Sequence, residues 1–236
     1  MNIGVLFYGI LMGGGGRTGS ERDYRHCWPN IEEMLITPFI DQGHKVAKFV
    51  STYDRFNKKE DRDEFVNIVN PTKVVFSTFE GSDPFTAKGS SFEALYNVPE
   101  LDVIIMSRLD VHWTKKLADE NIDWFKFNFL FREKGWWESN KFACDNLYIW
   151  PHIITSWVKQ AMHETYTFPR GKPLVDTHAL PIKLGQYVPE NMMHFISEEH
   201  FISDMNPYYT CCRNGLPEHE DRFKYLHPEV KERFYK

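Results

Sequence analysis

The chain has 236 residues, 42% of them apolar and 26% charged, with a formal net charge of −5. That apolar content at that length buries a substantial core, which excludes a disordered chain. Acidic and basic residues are mixed along the sequence with no basic stripe of the kind that neutralises a phosphate backbone, so nucleic acid is not the expected partner.

Four cysteines, Cys27, Cys144, Cys211 and Cys212, show neither a C-x-x-C pair nor zinc-knuckle spacing, and a reducing, cytoplasmic setting is the expectation. No apolar run approaches the ~20 residues of a membrane-spanning helix, which leaves peripheral association as the membrane contact to consider. The stretch Ile3 to Met12 lacks the positive flank and small-residue cleavage site of a signal peptide and reads as a buried strand and loop.

In chain order, Ile3 to Tyr8 is a short continuous apolar run that predicts a strand covered on both faces, and a glycine-rich loop, Gly13 to Gly19, follows it. Asn30 to Leu35 carries a capping residue, acids in the first turn and apolar positions at helical spacing, with Gly43 as a stop; this predicts a helix. Lys45 to Ser51 reads as a second strand, the stretch with Phe65, Ile68 and Val69 as a second helix, and Lys73 to Ser77 as a third strand. Ser90 to Tyr96 reads as a short helix and Leu101 to Ser107 as a fourth strand. That alternation builds an α/β fold with a mostly parallel sheet and helices on both faces.

Beyond Asp110 the pattern loosens. A strand is expected over Trp124 to Phe129, helices over Pro151 to Met162 and Asp176 to Gly185, a late strand over Met192 to Ile196 and a terminal helix around Pro228 to Tyr235. With no repeat, low-complexity segment or linker, one domain is expected.

Ligands of open α/β sheets sit beyond the C-terminal ends of the strands. The first strand delivers Gly9 and then Gly13 to Gly16 with Arg17 and Thr18. Successive glycines let backbone N–H groups approach an anion, and Arg17 adds a planar fork for phosphate oxygens, but a merely flexible loop fits the same residues. The segment is neither a G-x-x-x-x-G-K-[ST] loop nor a G-x-G-x-x-G turn leading into a helix. Thr52 and Asp54, ending the second strand, suit hydrogen bonds to a base or ribose and suit a turn equally well. The strongest signal is the fourth strand, which ends in Arg108-Leu109-Asp110. Alternation puts guanidinium and carboxylate on one side, the first suited to phosphate and the second to a divalent cation through its oxygens. A salt bridge at a strand end is the competing reading.

The segments "IGVLFYGI…GRT", "VAKFVSTYD", "DVIIMSRLDVHW" and "FACDNLYIWP" together resemble a group of GT-A-like glycosyltransferases found in bacterial surface-polysaccharide clusters and in large DNA viruses of algae. The resemblance spans roughly residues 1 to 165. It implies a nucleotide-binding half, 1–112, and an acceptor-side half, 113–236. It further implies that Gly16, Arg17 and Thr18 contact the diphosphate of a UDP- or GDP-sugar, that Thr52 and Asp54 contact its nucleoside, and that Asp110 binds a Mn²⁺ or Mg²⁺ ion bridging the phosphates. Asp145 would lie near the hydroxyl of a glycan or glycoprotein acceptor, as the candidate base of an inverting transfer, though a cap or turn acid near a strand fits the same residue. His178, His194 and His200 lie in the C-terminal part, where such enzymes often supply a last metal ligand, with His178 the candidate; none has a partner at diagnostic spacing, and a surface or capping role fits each. Where better-known members carry Asp-x-Asp, this chain has Arg108 in place of the first acid, so metal binding is weakened or part of the charge neutralisation passes to the arginine. Trp136-Trp137 is either an acceptor platform or lid, or ordinary packing. Two other classes stay open: a Rossmann-like oxidoreductase, disfavoured by the missing glycine fingerprint, and a non-catalytic nucleotide- or sugar-binding module.

Overall fold

The computed structural model describes residues 1–14, 21–56, 58–77, 90–95, 100–166, 177–203 and 205–211. The first strand, β1 (Asn2–Gly9), is followed by a small hairpin of β2 (Met12–Gly14) and β3 (Glu21–Asp23). Residues 15–20 lie between them, so the expected roles of Gly16, Arg17 and Thr18 fall outside the described residues.

Helix α1 (Tyr24–Ile31) begins six residues earlier than the sequence pattern predicts. Asp23 in extended backbone caps it by accepting from the Arg25 N–H, which overrides the weaker signal at Asn30. The helical path continues through a π turn over Glu32–Ile36 into α2 (Thr37–Asp41), with Pro38 in the first turn where no amide donor is needed. Then come β4 (Lys45–Tyr53), α3 (Lys59–Val69) and β5 (Lys73–Ser77). Ser90–Leu95 is a 3₁₀ turn, and β6 (Val103–Arg108) and β7 (Val111–Trp113) follow.

The later part holds β8 (Phe127–Phe129), β9 (Arg132–Glu133), α4 (Trp137–Asn140), β10 (Leu147–Pro151), α5 (Thr155–Tyr166), α6 (Leu180–Leu184), β11 (Met193–Phe195), β12 (His200–Phe201) and β13 (Tyr209–Cys211). The expected terminal helix around Pro228 lies outside the described residues.

Seven strands share one sheet in the order β11-β8-β10-β6-β1-β4-β5. All run in one direction except β10, which is antiparallel to both β6 and β8. The mostly parallel sheet expected from the sequence is therefore present. The reversed strand was not expected: Leu147–Pro151 is a short apolar run that passes directly into a helical turn, and local pattern carries no information on strand direction.

Side-chain alternation divides the core into two layers. Ile3, Val5 and Phe7 with Val103 and Ile105 pack under Tyr24, Trp28, Phe39, Phe65 and Val69. Leu6 and Tyr8 with Ile104, Met106 and Trp150 pack under Phe92, Val158, Met162 and Leu184. Both faces are thus covered by helical elements, which is why the runs Ile3 to Tyr8 of β1 and Val103 to Met106 of β6 are apolar throughout rather than at alternate positions.

Gly4 belongs to the second layer, and a Cβ there would lie 2.6 Å from Leu101 Cδ1 and 3.2 Å from Phe49 Cε2. The leucine and phenylalanine fill the space a side chain would take. Gly4→Ala is expected to destabilise the fold by about 1–3 kcal/mol through overpacking, read as a lower midpoint in urea denaturation.

Candidate functional site

The C-terminal ends of the parallel strands meet in register. Tyr8 pairs with Arg108 across β1 and β6, and Gly9 pairs with Thr52 across β1 and β4. Because β10 runs the other way, the residues just before it, Asp145 and Asn146, arrive at the same edge. The Arg108 N–H donates to the Asn146 carbonyl at 3.3 Å, and the Tyr8 hydroxyl donates to the Asp145 carbonyl at 2.6 Å.

Asp110 is the centre of the cluster. Arg108 donates Nε to Oδ1 at 2.7 Å and Nη2 to Oδ2 at 2.6 Å, a two-pronged fork, and Arg22 of the β2–β3 hairpin donates Nε to Oδ2 at 2.9 Å. The side chains of Asp110 and Arg22 are 5% and 8% exposed, whereas Arg108 keeps 22% of its surface in solvent. Burial alone would raise the Asp110 carboxyl, but the Arg108 and Arg22 charges outweigh it and hold the group well below the usual carboxylate range. Burial likewise works against the Arg108 charge, and the Asp110 carboxylate overrides it and keeps the guanidinium above its ordinary range.

Asn146 and Tyr209 fix the fork from behind. Arg108 Nη1 donates to Asn146 Oδ1 at 3.2 Å, and Asn146 Nδ2 donates to the Tyr209 hydroxyl at 2.5 Å. Tyr209 Oη also lies 3.3 Å from the Cys144 sulfur. Since the guanidinium only donates, the Asn146 amide has its oxygen toward Arg108, and the orientation follows from chemistry.

Beside this cluster, His178 Nδ1 lies 3.0 Å from the Ala143 carbonyl and 3.2 Å from Glu133 Oε1, so that nitrogen carries a hydrogen. His178 Nε2 faces Asp145 Oδ1 at 3.7 Å. Glu133 is buried and also accepts from the Ser203 hydroxyl and, at 3.2 Å, from the Ser203 N–H. The exposed Trp136 ring stacks on Phe142 at 6.1 Å, and Phe142 on the His178 ring at 6.3 Å.

Arg108, Asp110, Asp145 and His178 are thus brought together, with Gly9 one strand away. Thr52 is fully buried and spends its hydroxyl on the Gly9 carbonyl at 2.8 Å, fixing that strand end. Asp54 is exposed, and its carboxylate pairs with Arg62 of α3 at 3.0 Å. Sequence reasoning missed Arg22, Glu133, Asn146 and Tyr209. Arg22 sits in a run of charges with its partner 88 positions away, and Glu133 looks solvent-facing in Arg132-Glu133-Lys134 until the strand alternation of β9 turns it inward.

The Mn²⁺ or Mg²⁺ ion expected at Asp110 does not fit these side chains. Both carboxylate oxygens are held by guanidinium groups, so a cation bound to either would lie against a positive charge. His178 commits Nδ1 to Ala143 and Glu133 rather than to a shared cavity with Asp110. Among the described residues, no group of three or more His, Cys, Asp or Glu side chains converges on one point.

No protein-family model and no curated protein matches the chain. Solved structures do. A nucleoside-diphosphate-sugar pyrophosphorylase from Vibrio cholerae RC9 is 11% identical with a TM-score of 0.52, over 95% of this chain and 100% of that one. What is shared is the fold. The seven-stranded, mostly parallel sheet with helices on both faces is a GT-A-like α/β fold, as expected from the sequence. A mutant Drosophila β-1,4-galactosyltransferase 7, in complex with manganese, UDP-Gal and xylobiose, is 11% identical with a TM-score of 0.45, over 100% of this chain and 80% of that one. A glycosyltransferase involved in glycosylation of the major capsid of PBCV-1 is 11% identical with a TM-score of 0.43, over 86% and 81%. These two scores are too low to add to the first. Among the described residues, no helix is long and apolar enough to cross a membrane.

Asp110 sets a pH dependence. An unfolded aspartate titrates near ~3.9, and the folded carboxyl lies below that, so its stabilisation is complete above that pH and is lost as pH falls toward the folded value. The stability gap between wild type and Asp110→Asn, measured by urea denaturation, is expected to be widest at pH 7 and narrower at pH 3.

Proposed function

We propose that this protein is a glycosyltransferase that moves a sugar from a nucleoside diphosphate donor, a UDP- or GDP-sugar, to a hydroxyl of a glycan acceptor. The observation that carries this reading is the Arg108 guanidinium, held by Asp110 and Asn146 at the C-terminal sheet edge with Asp145 next to Asn146 in the chain. Such an edge is where open α/β sheets take their ligands. A departing nucleoside diphosphate gathers negative charge, and a preorganised cation aimed at it lowers the barrier without reorganising at the moment of reaction.

In the proposed reaction Arg108 binds the diphosphate oxygens, and Asp110 and Arg22 hold its plane. Gly9, kept in place by Thr52 and at φ 118°, leaves the strand end free of a Cβ. Asp145 accepts the proton of the acceptor hydroxyl as its oxygen bonds to the anomeric carbon. The bond from that carbon to the phosphate oxygen breaks, and the electron pair leaves with the nucleoside diphosphate. His178, with its Nε2 3.7 Å from the Asp145 carboxylate, orients it when the ring carries a hydrogen on both nitrogens. Trp136, 55% exposed and backed by Phe142, offers an apolar face for an acceptor sugar ring. The roles expected of Arg17 and Asp54 toward phosphate and nucleoside belong to this reading; the Mn²⁺ or Mg²⁺ ion expected at Asp110 has no place in it, because both carboxylate oxygens are taken by guanidinium groups.

A second reading has the fold match in its favour: the chain makes nucleotide-sugars rather than using them. One assay separates the two. Incubation with UDP-, GDP- and TDP-sugars plus oligosaccharide acceptors is expected to release nucleoside diphosphate and yield an extended glycan. Release of pyrophosphate from a nucleoside triphosphate and a sugar 1-phosphate, without transfer, would replace the first reading by the second. Within the transferase reading, Asp145→Asn is expected to lower kcat by about 10²–10⁴-fold with donor KM little changed, the usual worth of a general base. Steady-state kinetics on the two proteins checks this.

A further inference from the structure

We propose that the donor diphosphate is bound without a divalent metal, Arg108 serving as the cation and Asp110 as the residue that positions it. This rests on the donor reading above and deepens it. Three features of the cluster carry the inference.

The first is occupancy. Asp110 accepts three N–H bonds, at 2.6, 2.7 and 2.9 Å, and is nearly sealed from solvent. An oxygen ligand has to offer a lone pair to the ion, and these oxygens already face two guanidinium groups. The second feature is charge. Arg108 and Arg22 set two positive charges against the single negative charge of Asp110, so this carboxylate has no uncompensated charge to offer a dication.

The third is donor capacity. A guanidinium has five N–H groups. Arg108 uses Nε and one hydrogen of Nη2 on Asp110 and one hydrogen of Nη1 on Asn146, which leaves two N–H groups without a partner among the described residues. They belong to the member of the cluster that reaches solvent, at 22% exposure against 8% for Arg22 and 5% for Asp110. The carboxylate therefore fixes the guanidinium plane, while the spare N–H groups are one on Nη1 and one on Nη2. That geometry matches two phosphate oxygens.

Isothermal titration calorimetry of the full chain with UDP and with GDP, once in EDTA and once in Mn²⁺, tests the proposal. The expected result is a dissociation constant for the better nucleotide that is the same in both media. Arg108→Lys keeps a positive charge but loses the fork, and it is expected to weaken binding at least about tenfold in both media, the worth of one charged hydrogen bond. Should that variant fold poorly in a thermal melt, Arg108→Met leaves Asp110 paired with Arg22 and is expected to abolish binding in both media. Binding that appears only with Mn²⁺, or tightens tenfold with it, overturns metal independence and leaves the donor reading standing. Unchanged binding by Arg108→Lys, or by Arg108→Met, removes Arg108 from the site. No binding of either nucleotide in either medium overturns this inference and the donor reading together.

Discussion

Everything at the sheet edge depends on a buried carboxylate shared by two guanidinium groups. Taking any one of these charges out of water alone is costly, and the cost is met because Asp110 accepts from Arg108 and Arg22 at hydrogen-bond distance. The three residues come from different parts of the chain: Arg108 ends β6, Asp110 leads into β7, and Arg22 belongs to the β2–β3 hairpin. Their union therefore fixes more than a local turn. It ties the hairpin that follows β1 to the end of the neighbouring strand β6, and it orients Arg108 for its bond to Asn146 ahead of β10.

The reversed strand β10 makes that union useful. In a sheet of parallel strands alone, each segment entering a strand lies at the far edge from the ligand end. With β10 antiparallel to β6, the entering segment Asp145-Asn146 reaches the ligand end instead. Asp145 thereby meets His178, and His178 is held in turn by Glu133 and the Ala143 carbonyl. The short β7–β13 ladder sets Tyr209 under Asn146, so the late part of the chain props the site from below.

What could be read from the amino-acid order follows the range of the interactions. The strands β1, β4, β5 and β6 announce themselves because burial on both faces demands uninterrupted apolar residues, a purely local requirement. Arg108 and Asp110 stand out for a related reason, as charges abruptly ending such a run. The use to which Asp110 is put was not legible: its third bond comes from Arg22, one arginine in a run of charged residues. Thr52 and Asp54 sit at the expected strand end, yet one side chain turns inward to Gly9 and the other outward to Arg62, and strand spacing alone distinguishes neither. Glu133 and Tyr209 acquire their roles through contacts 70 and 63 positions away in sequence.

The thiol of Cys144 lies within this framework, fully buried against Tyr209 and pushed above its ordinary range by burial and by the nearby Glu133 charge. A thiol so placed is a poor nucleophile, because alkylating reagents need both access and the thiolate form. Its capture by such a reagent has to wait until the packing around Asn146 and Tyr209 opens. The rate of Cys144 labelling is thus a clock for local opening of the functional edge, readable by peptide mass spectrometry without any ligand or substrate.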